Sequence, residues 1–169
     1  MQVDLVRLTE VPLADVLALL NEPRLTRHMP LAGRFDETQT ADWVATKDAQ
    51  WAAHGYGPWA VLLDGRFAGW GGFQREEGGA DLALVLAPAF WGHGAAVLRV
   101  ALDRGFGELG LDEVLIALPP TRNPARVVAR FGFVPDGEVD HGGARFLQYR
   151  LTRPTWSRLQ PEKPVPPSP

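Results

Sequence analysis

The sequence predicts one α/β domain, and three features of the chain support that prediction. First, 169 residues with a hydrophobic content of 46% are enough for one core and too few for two. Second, three apolar runs joined by turn residues lie between residues 58 and 88, which predicts an antiparallel meander. Third, segments with helical spacing flank these runs. The predicted order is therefore βααβββαβαβ, with a helical crossover after the third meander strand.

The N-terminal part is predicted to form one strand and two helices. Residues 2–8 alternate in polarity, which is typical of a short strand. Pro12 falls in the first turn of a helix, and apolar residues follow at helical spacing: Leu13, Val16, Leu17 and Leu20. After a break at residues 21–23, a second helix is predicted from about Thr38 to His54, where Gly55 ends it.

The middle of the chain is predicted to form the meander, a helix and a further strand. Asp64-Gly65 joins the first two runs and is a strong hairpin signal, because both central residues of a type I′ turn need positive φ. The third run, ADLALVLAP, ends at Pro88. A helix from Ala95 to about Leu109, ended by Gly110, is predicted next, and residues 113–118 fit a strand.

The C-terminal part is predicted to hold a short helix, a last strand and a tail. Residues 124–130 fit a helix that ends at Gly132, and residues 145–151 fit a strand. The segment from Gln160 onward, QPEKPVPPSP, cannot supply a core. The predicted division is a folded domain over residues 1–156 and a Pro-rich, disordered tail over residues 157–169.

Composition argues against several classes of function. The 20 acidic and 17 basic residues are interspersed and give a net charge of −3, so no nucleic-acid partner is predicted. The chain has no cysteine and its four histidines lack ligand-like spacing, so no metal is expected. Its N-terminus lacks the basic region and apolar core of a secretion signal, and no apolar run approaches about 18 residues. We therefore expect a cytoplasmic location and no membrane partner.

The stretch APAFWGHGAAVLR, residues 87–99, joins the third meander strand to the next helix. A strand, a glycine loop and a helix in succession bring unpaired N–H groups and the positive end of the helix dipole to one point, which suits an anion. Gly92 and Gly94 leave room for a phosphate, and Ala95 and Ala96 keep the first turn thin. The spacing differs from that of nucleotide triphosphatases and Rossmann units, so ATP and dinucleotide sites are disfavoured.

The segment DLALVLAPAFWGHGAA resembles the central motif of the GNAT N-acetyltransferase superfamily, in the branch similar to the enzymes that acetylate ribosomal-protein N-termini. The resemblance covers about residues 5–156, through RLTEVPLADVLALLNEP, GPWAVLLDGRFAGWGG, LDRGFGELGLDEV and ARFGF. It implies the GNAT fold: a mixed, mostly antiparallel central sheet with a splayed strand pair and flanking helices. It also implies acetyl-coenzyme A (acetyl-CoA) as acyl donor and a bulge on the strand before the loop.

The resemblance assigns the acetyl-CoA site to this loop and the strand before it. The residues whose amides would hold the pyrophosphate are Trp91, Gly92, His93, Gly94, Ala95 and Ala96. The backbone of Leu86 would pair with pantetheine, and the amide of Leu84 would polarise the thioester carbonyl. His93 stands where the branch has lysine, and because histidine is only partly charged near pH 7, its contribution to phosphate binding should be weaker.

The chain departs from the branch at the helix before the final Gly-Phe. The branch has Asn-x-x-Ser there, with the Asn contacting the pantetheine or the substrate and the Ser near the thioester sulfur, so the resemblance gives the Asn position a cofactor-binding role. Counted back without gaps, those two positions hold Thr121 and Pro124. With a shortened helix, Asn123 takes the place of the Asn and Arg126 that of the Ser, so the serine is absent in either alignment.

No residue is assigned as general acid or base from the sequence. Other members of the superfamily place a tyrosine four residues before that glycine, where this chain has Val128. Asn123 and Tyr149 are assigned positioning roles in catalysis. The resemblance places the acceptor side in the loop between the first two helices and at the strand ends, where the candidates are His28, Asp36, Glu37, Trp59, Trp70 and Phe73. The alternative for the aromatic residues is packing in the core or on the surface, and the alternative for Asp36 and Glu37 is the polar entry to the second helix.

Together these features predict an N-acetyltransferase that moves an acetyl group from acetyl-CoA to a primary amine by direct transfer in a ternary complex. The acceptor is an N-terminal α-amine or a small-molecule amine. Without a base, the rate should follow the neutral fraction of the amine, which favours weakly basic acceptors. The alternative is a catalytically silent module of the same fold that binds acyl-CoA. The oligomeric state stays open, with a homodimer as one option.

Overall fold

The computed structural model describes residues 1–26, 35–120 and 125–161, which contain seven strands and six helices. The strands are β1 (Val3–Arg7), β2 (Pro58–Leu63), β3 (Arg66–Glu76), β4 (Gly79–Leu86), β5 (Glu113–Leu118), β6 (Val134–His141) and β7 (Ala144–Thr152). The helices are α1 (Leu13–Leu20), α2 (Pro23–Thr26), α3 (Glu37–His54), α4 (Gly94–Phe106), α5 (Ala125–Phe131) and α6 (Arg153–Leu159). The chain divides into two compact units, Met1–Leu111 and Asp112–Pro169.

The first unit contains an antiparallel sheet in the order β1-β2-β3-β4. On one face, Trp70 of β3 packs in a core with residues of α1 and α3, among them Val16, Leu20 and Val44. On the other face, Phe73 lies so close to Gly105 of α4 that a Cβ there would come within 2.5 Å of its ring. Because side chains alternate along a strand, Trp70 and Phe73 lie on opposite faces of the sheet, and different helices cover the two faces.

Two turn predictions are confirmed by the backbone of the first unit. Asp64 and Gly65 have φ values of 48° and 75°, as the type I′ hairpin between β2 and β3 requires. Helix α3 ends where it was predicted to end, since Gly55 adopts φ 76° and its N–H donates to the Trp51 carbonyl at 3.0 Å. These positive-φ residues therefore mark the end of α3 and the turn between β2 and β3.

The second unit contains an antiparallel sheet in which β7 lies between β5 and β6. Phe131 of α5 and Trp156 of α6 pack with ring centroids 6.1 Å apart, which gives this unit an aromatic core. Arg150 of β7 forms ion pairs with Glu113 of β5 and with Asp136 of β6, the latter at 2.9 Å. The central strand is thus joined to both neighbours by charge as well as by backbone pairing.

The structure corrects several predicted elements. Helix α4 ends at Phe106 rather than Leu109, because beyond the Gly107 bond to Asp103 the pattern changes: the Leu109 N–H donates to the Arg104 carbonyl and the Leu111 N–H to the Gly105 carbonyl, both at 2.9 Å. The one-turn helix α2 and the strand β6 were not predicted. Helix α6 was not predicted either, and it runs to Leu159, so the boundary placed at residue 156 falls inside a helix. Residues 162–169 of the predicted tail lie outside the described residues.

Candidate functional site

The loop between β4 and α4 is a tight, ordered connection. A 3₁₀ turn over Pro88–Phe90 follows β4, and the Trp91 N–H donates to the Pro88 carbonyl at 3.2 Å. Gly92 has φ 99°, and no atom lies within 4 Å of the place where its Cβ would be. Glycine is therefore required there by the backbone, and the space beside it is open.

The first turn of α4 offers three backbone donors. The first helical hydrogen bond runs from the Val97 N–H to the His93 carbonyl at 3.3 Å. The amides of Gly94, Ala95 and Ala96 precede it and so have no acceptor within the helix. The His93 side chain does not cap them, and its backbone angles, φ −96° and ψ 1°, are not the extended ones from which an N-cap side chain reaches back. The residues present thus fit an anion at this helix start.

Strand β4 presents the backbone groups of Leu84 and Leu86 away from β3. The Ala87 N–H donates to the Ala68 carbonyl at 2.8 Å, and the register stays constant along the whole β3–β4 ladder. In an antiparallel pair, hydrogen-bonded and non-hydrogen-bonded positions alternate, so residues 85 and 83 face β3 and residues 86 and 84 do not. This orientation is the one that the predicted roles of Leu84 and Leu86 need.

The bulge expected on the strand before the loop does not occur in the pairing of β4 with β3. The register shift in this part of the sheet lies instead between β2 and β3, at Val61 and Leu62. Gly69, next to this register shift on β3, allows close contact with β4, because a Cβ at this position would lie 2.0 Å from the Val85 carbonyl oxygen. The splay of two neighbouring strands stays a prediction.

The loop and the strand before it come together at two points. The indole Nε1 of Trp91 donates to the Leu86 carbonyl at 2.9 Å, although 55% of the Trp91 residue is exposed. A Cβ on Gly94 would lie 3.6 Å from the Leu84 side chain. The structure thus brings together the loop residues and the two strand residues that were predicted for acetyl-CoA.

Two acceptor-side candidates, Asp36 and Glu37, form the start of α3. The Asp36 carboxylate accepts from the Gln39 N–H at 2.7 Å, and the Gln39 side chain accepts from the Asp36 N–H at 3.0 Å. This reciprocal pair is a capping box, which occupies the Asp36 side chain with the helix itself. Glu37 is exposed in the first turn. The geometry therefore gives Asp36 a structural task.

Two aromatic candidates belong to the core of the first unit. Phe73 is 0% exposed and Trp59 is 3% exposed, and their ring centroids lie 6.0 Å apart. The Arg104 guanidinium covers the Trp59 ring at 5.1 Å from its centroid. The expectation that these two rings line an acceptor groove is corrected by their burial, since neither can be reached by a ligand.

Trp70 lies in a different setting, beside a lysine. Its ring is 5% exposed and packs edge-on against Trp43 of α3, with centroids 5.3 Å apart. The Lys47 ammonium lies over both rings and donates to Oε1 of Gln74. The indole N–H of Trp70 is buried without a hydrogen-bond partner among the described residues. A buried donor without an acceptor is rare in folded proteins and calls for an explanation.

Asp81 of β4 is a candidate that the sequence reasoning missed. It lies directly opposite Gln74 in the β3–β4 ladder and is half-buried. Burial, and then the nearby charge of Glu76, raise the pKa of its carboxyl to about 7. A carboxylate that titrates near neutral pH is suited to proton transfer. The signal that could have found it is the acidic residue that opens the run DLALVLAP.

Three predicted site residues remain to be placed: Tyr149, Asn123 and His28. Tyr149 lies on β7 in the second unit, where it is 8% exposed and pairs with Ile116 and Pro135. Asn123 and His28 lie outside the described residues. In the described ranges no group of three or more potential metal ligands occurs. None of the helices in these ranges is long and apolar enough to span a membrane.

Comparison with known proteins gives a consistent result. Residues 2–134 match a family profile described as "Acetyltransferase (GNAT) domain". A GNAT-family acetyltransferase from Bordetella pertussis is similar in structure, with a TM-score of 0.71 and 21% identity over 89% of this chain and 99% of that one. The aminoglycoside acetyltransferase AAC(6')-Ib in complex with coenzyme A has a TM-score of 0.71 and 18% identity, over 93% and 98% of the two chains. Mycobacterium smegmatis RimJ in complex with CoA-disulfide has a TM-score of 0.61 and 24% identity, over 84% and 79%.

Proposed function

The chain belongs to the GNAT acetyltransferase family, and we propose that it transfers acetyl from acetyl-CoA to a primary amine in a ternary complex. The observation that carries this proposal is the start of α4, where three backbone amides lack a helical acceptor and no side chain caps them. These amides would hold the pyrophosphate of the donor. Acetyl-CoA supplies the acetyl group as a thioester: the amine nitrogen forms a bond to the carbonyl carbon, the carbon–sulfur bond breaks, and coenzyme A leaves as a thiolate that takes up a proton lost by the nitrogen.

The backbone groups of β4 that point away from β3 would position the reacting group. The Leu84 N–H, which points away from β3, would donate to the thioester carbonyl oxygen and stabilise the charge that develops there. The backbone of Leu86 would align the pantetheine arm. Both roles need backbone atoms only, which accounts for apolar side chains at these two positions.

Asp81 would accept the proton that the acceptor's ammonium group gives up before the nitrogen attacks. It precedes Leu84 by three residues, about 10 Å along a strand, so the proton would travel through water. Because the folded-state pKa is above the unfolded value, ionisation of Asp81 lowers stability as pH rises from about 4 to about 7. A group kept at the expense of stability is typical of a functional role.

The experiment is a pH profile of kcat/KM, measured by release of the coenzyme A thiol with an amine whose own pKa is near 9–10. In the wild type, the rate should rise about tenfold per pH unit and level off near pH 7, where Asp81 is ionised. In Asp81→Asn the rate should be lower and should rise on toward the amine's own pKa. The matched control is Asp42→Asn, an exposed carboxylate on α3, whose profile should follow the wild type.

Two results would contradict this proposal in different ways. If the wild-type rate also rises up to the amine's own pKa, Asp81 is not the base and transfer depends on the neutral amine. If coenzyme A binds but no amine is acetylated at any pH, the chain is the silent acyl-CoA-binding module. A thermal melt at pH 8 shows that Asp81→Asn is folded, since removing a charge that destabilises the native state should not lower Tm.

A further inference from the structure

Lys47 is a half-buried cation whose partner is neutral. Its ammonium lies 5.7 Å from the ring centroid of Trp43 and 5.1 Å from that of Trp70, and it donates to Oε1 of Gln74. It forms no ion pair with a carboxylate anywhere in the described ranges. Burial lowers its pKa, and only the more distant charge of Glu76 acts against that shift.

The sheet register shows where this ammonium lies. Three alternate residue pairs of the β3–β4 ladder, Trp70–Val85, Gly72–Ala83 and Gln74–Asp81, share one face of the sheet. Lys47 contacts residues of the first and third pairs, so its side chain crosses the middle pair. That pair consists of two small residues, Gly72 and Ala83.

This cluster contains more donors than acceptors. An ammonium group has three N–H donors, and among the described residues only Gln74 accepts one of them from Lys47. The buried indole N–H of Trp70 is a further donor without an acceptor in the same cluster. A half-buried cation without a counter-charge is unfavourable, whereas an anionic oxygen would satisfy both its charge and its free donors.

We infer that Lys47 binds a carboxylate of the acceptor, so that the acceptor is an amine that also carries a carboxylate, as a free amino acid does. The inference rests on the proposed function and names its substrate class. Paired residues at hydrogen-bonded positions have Cα atoms about 5.5 Å apart, and Gln74 and Asp81 form such a pair. Lys47 and Asp81 are thus placed to hold the two ends of one small zwitterion, the carboxylate at Lys47 and the ammonium at Asp81.

The test compares amino acids with their primary amides, in which a neutral carboxamide replaces the carboxylate and the amine is unchanged. Initial rates are measured for several such pairs in which one, two or three carbons separate the amine from the carboxyl group. The readout is the ratio of kcat/KM for the acid to kcat/KM for the amide, because differences in intrinsic amine reactivity cancel when this ratio is compared between variants. Lys47→Met should lower the ratio at least tenfold. Arg75→Met, which removes an exposed charge next to Gln74, should leave it unchanged.

A second measurement uses the wild type alone and so does not depend on the folding of a variant. A simple carboxylate without an amine, isovalerate, should inhibit competitively against the acceptor and not against acetyl-CoA, and isovaleramide should not inhibit. If the enzyme acetylates these amines but Lys47→Met leaves the acid-to-amide ratio of kcat/KM unchanged, this inference is wrong and the proposed function stands. Absence of transfer to any acid or amide would overturn both.

Discussion

The two longest helices of the first unit begin in opposite ways. At the start of α3, Asp36 is extended, with φ −94° and ψ −178°, and its carboxylate caps the Gln39 amide. At the start of α4, His93 has ψ 1° and its side chain caps nothing. The two helices have the same dipole, so the difference lies in the N-cap residue and in the side chains of the first turn.

A structural helix start and one that binds a ligand can be distinguished by whether the chain itself supplies acceptors for the first-turn amides. The capping box of α3 gives the amides of Asp36 and Gln39 acceptors from within the chain. In α4 the first turn is Gly94-Ala95-Ala96, whose small side chains leave the amides accessible, and the His93 side chain forms no cap hydrogen bond with them. In our proposal, acetyl-CoA binds at the helix start that lacks an internal cap, which is the start of α4.

The largest effect is expected where the α4 start is blocked. Gly94→Glu should weaken coenzyme A binding at least about 100-fold, because a carboxylate at the first helical position repels the pyrophosphate and occupies its place. The helix itself should remain, since an acidic residue in the first turn interacts favourably with the dipole. Isothermal titration calorimetry with coenzyme A measures the affinity, and circular dichroism measures the fold.

Gly94→Ala is the matched control for this change. A Cβ at Gly94 would lie 3.6 Å from the Leu84 side chain, an ordinary van der Waals contact, so the fold accepts it. Its affinity for coenzyme A should fall by much less than that of Gly94→Glu. Equal affinity in the wild type and Gly94→Glu would show that the pyrophosphate does not lie at α4.

The parts of the fold that could be predicted are those set by local chemistry. Gly55 and Asp64-Gly65 need positive φ, and this requirement identifies the end of α3 and the β2–β3 hairpin within a few residues. Strand β6 could not be found in this way, because Pro135 and Gly137 interrupt its alternation and its place depends on pairing with β7. Helix α4 was predicted too long because Gly107 and Gly110 both resemble a helix end, and the sequence does not show which one acts first.

The same distinction holds for the candidate site. The loop around Gly92 and Gly94 is contiguous, so an anion-binding role for it could be predicted from the sequence. The cluster of Lys47, Gln74 and Asp81 joins a helix to two strands across 34 residues, and only the register of β3 and β4 brings it together. The composition likewise could not show that Phe73 is fully buried, since burial is a property of the packed sheet.

A charge placed on the N-cap of α4 tests whether electrostatics at this position act on the ligand. His93→Asp should weaken coenzyme A binding about tenfold, because a negative charge then lies beside the pyrophosphate. His93→Asn has a similar size and no charge, so it should stay within about threefold of the wild type. If Asp and Asn weaken binding equally, charge at this position does not act on the ligand, and the affinity comes from the shape of the loop alone.

The smallest effect is expected at the helix start that is already capped. Asp36→Ala should lower the free energy of unfolding by about 1 kcal/mol, because the Gln39 amide loses its acceptor, and Tm should fall by about 2–4 °C. Coenzyme A affinity and kcat/KM should stay the same, since the side chain serves its own helix. Glu37→Ala, which removes an exposed first-turn charge without a cap, should change stability by less than about 0.5 kcal/mol. Chemical denaturation and steady-state rates measure the two effects separately. A drop in kcat/KM with unchanged stability would instead mean that Asp36 contacts the acceptor and that its capping box gives way to substrate.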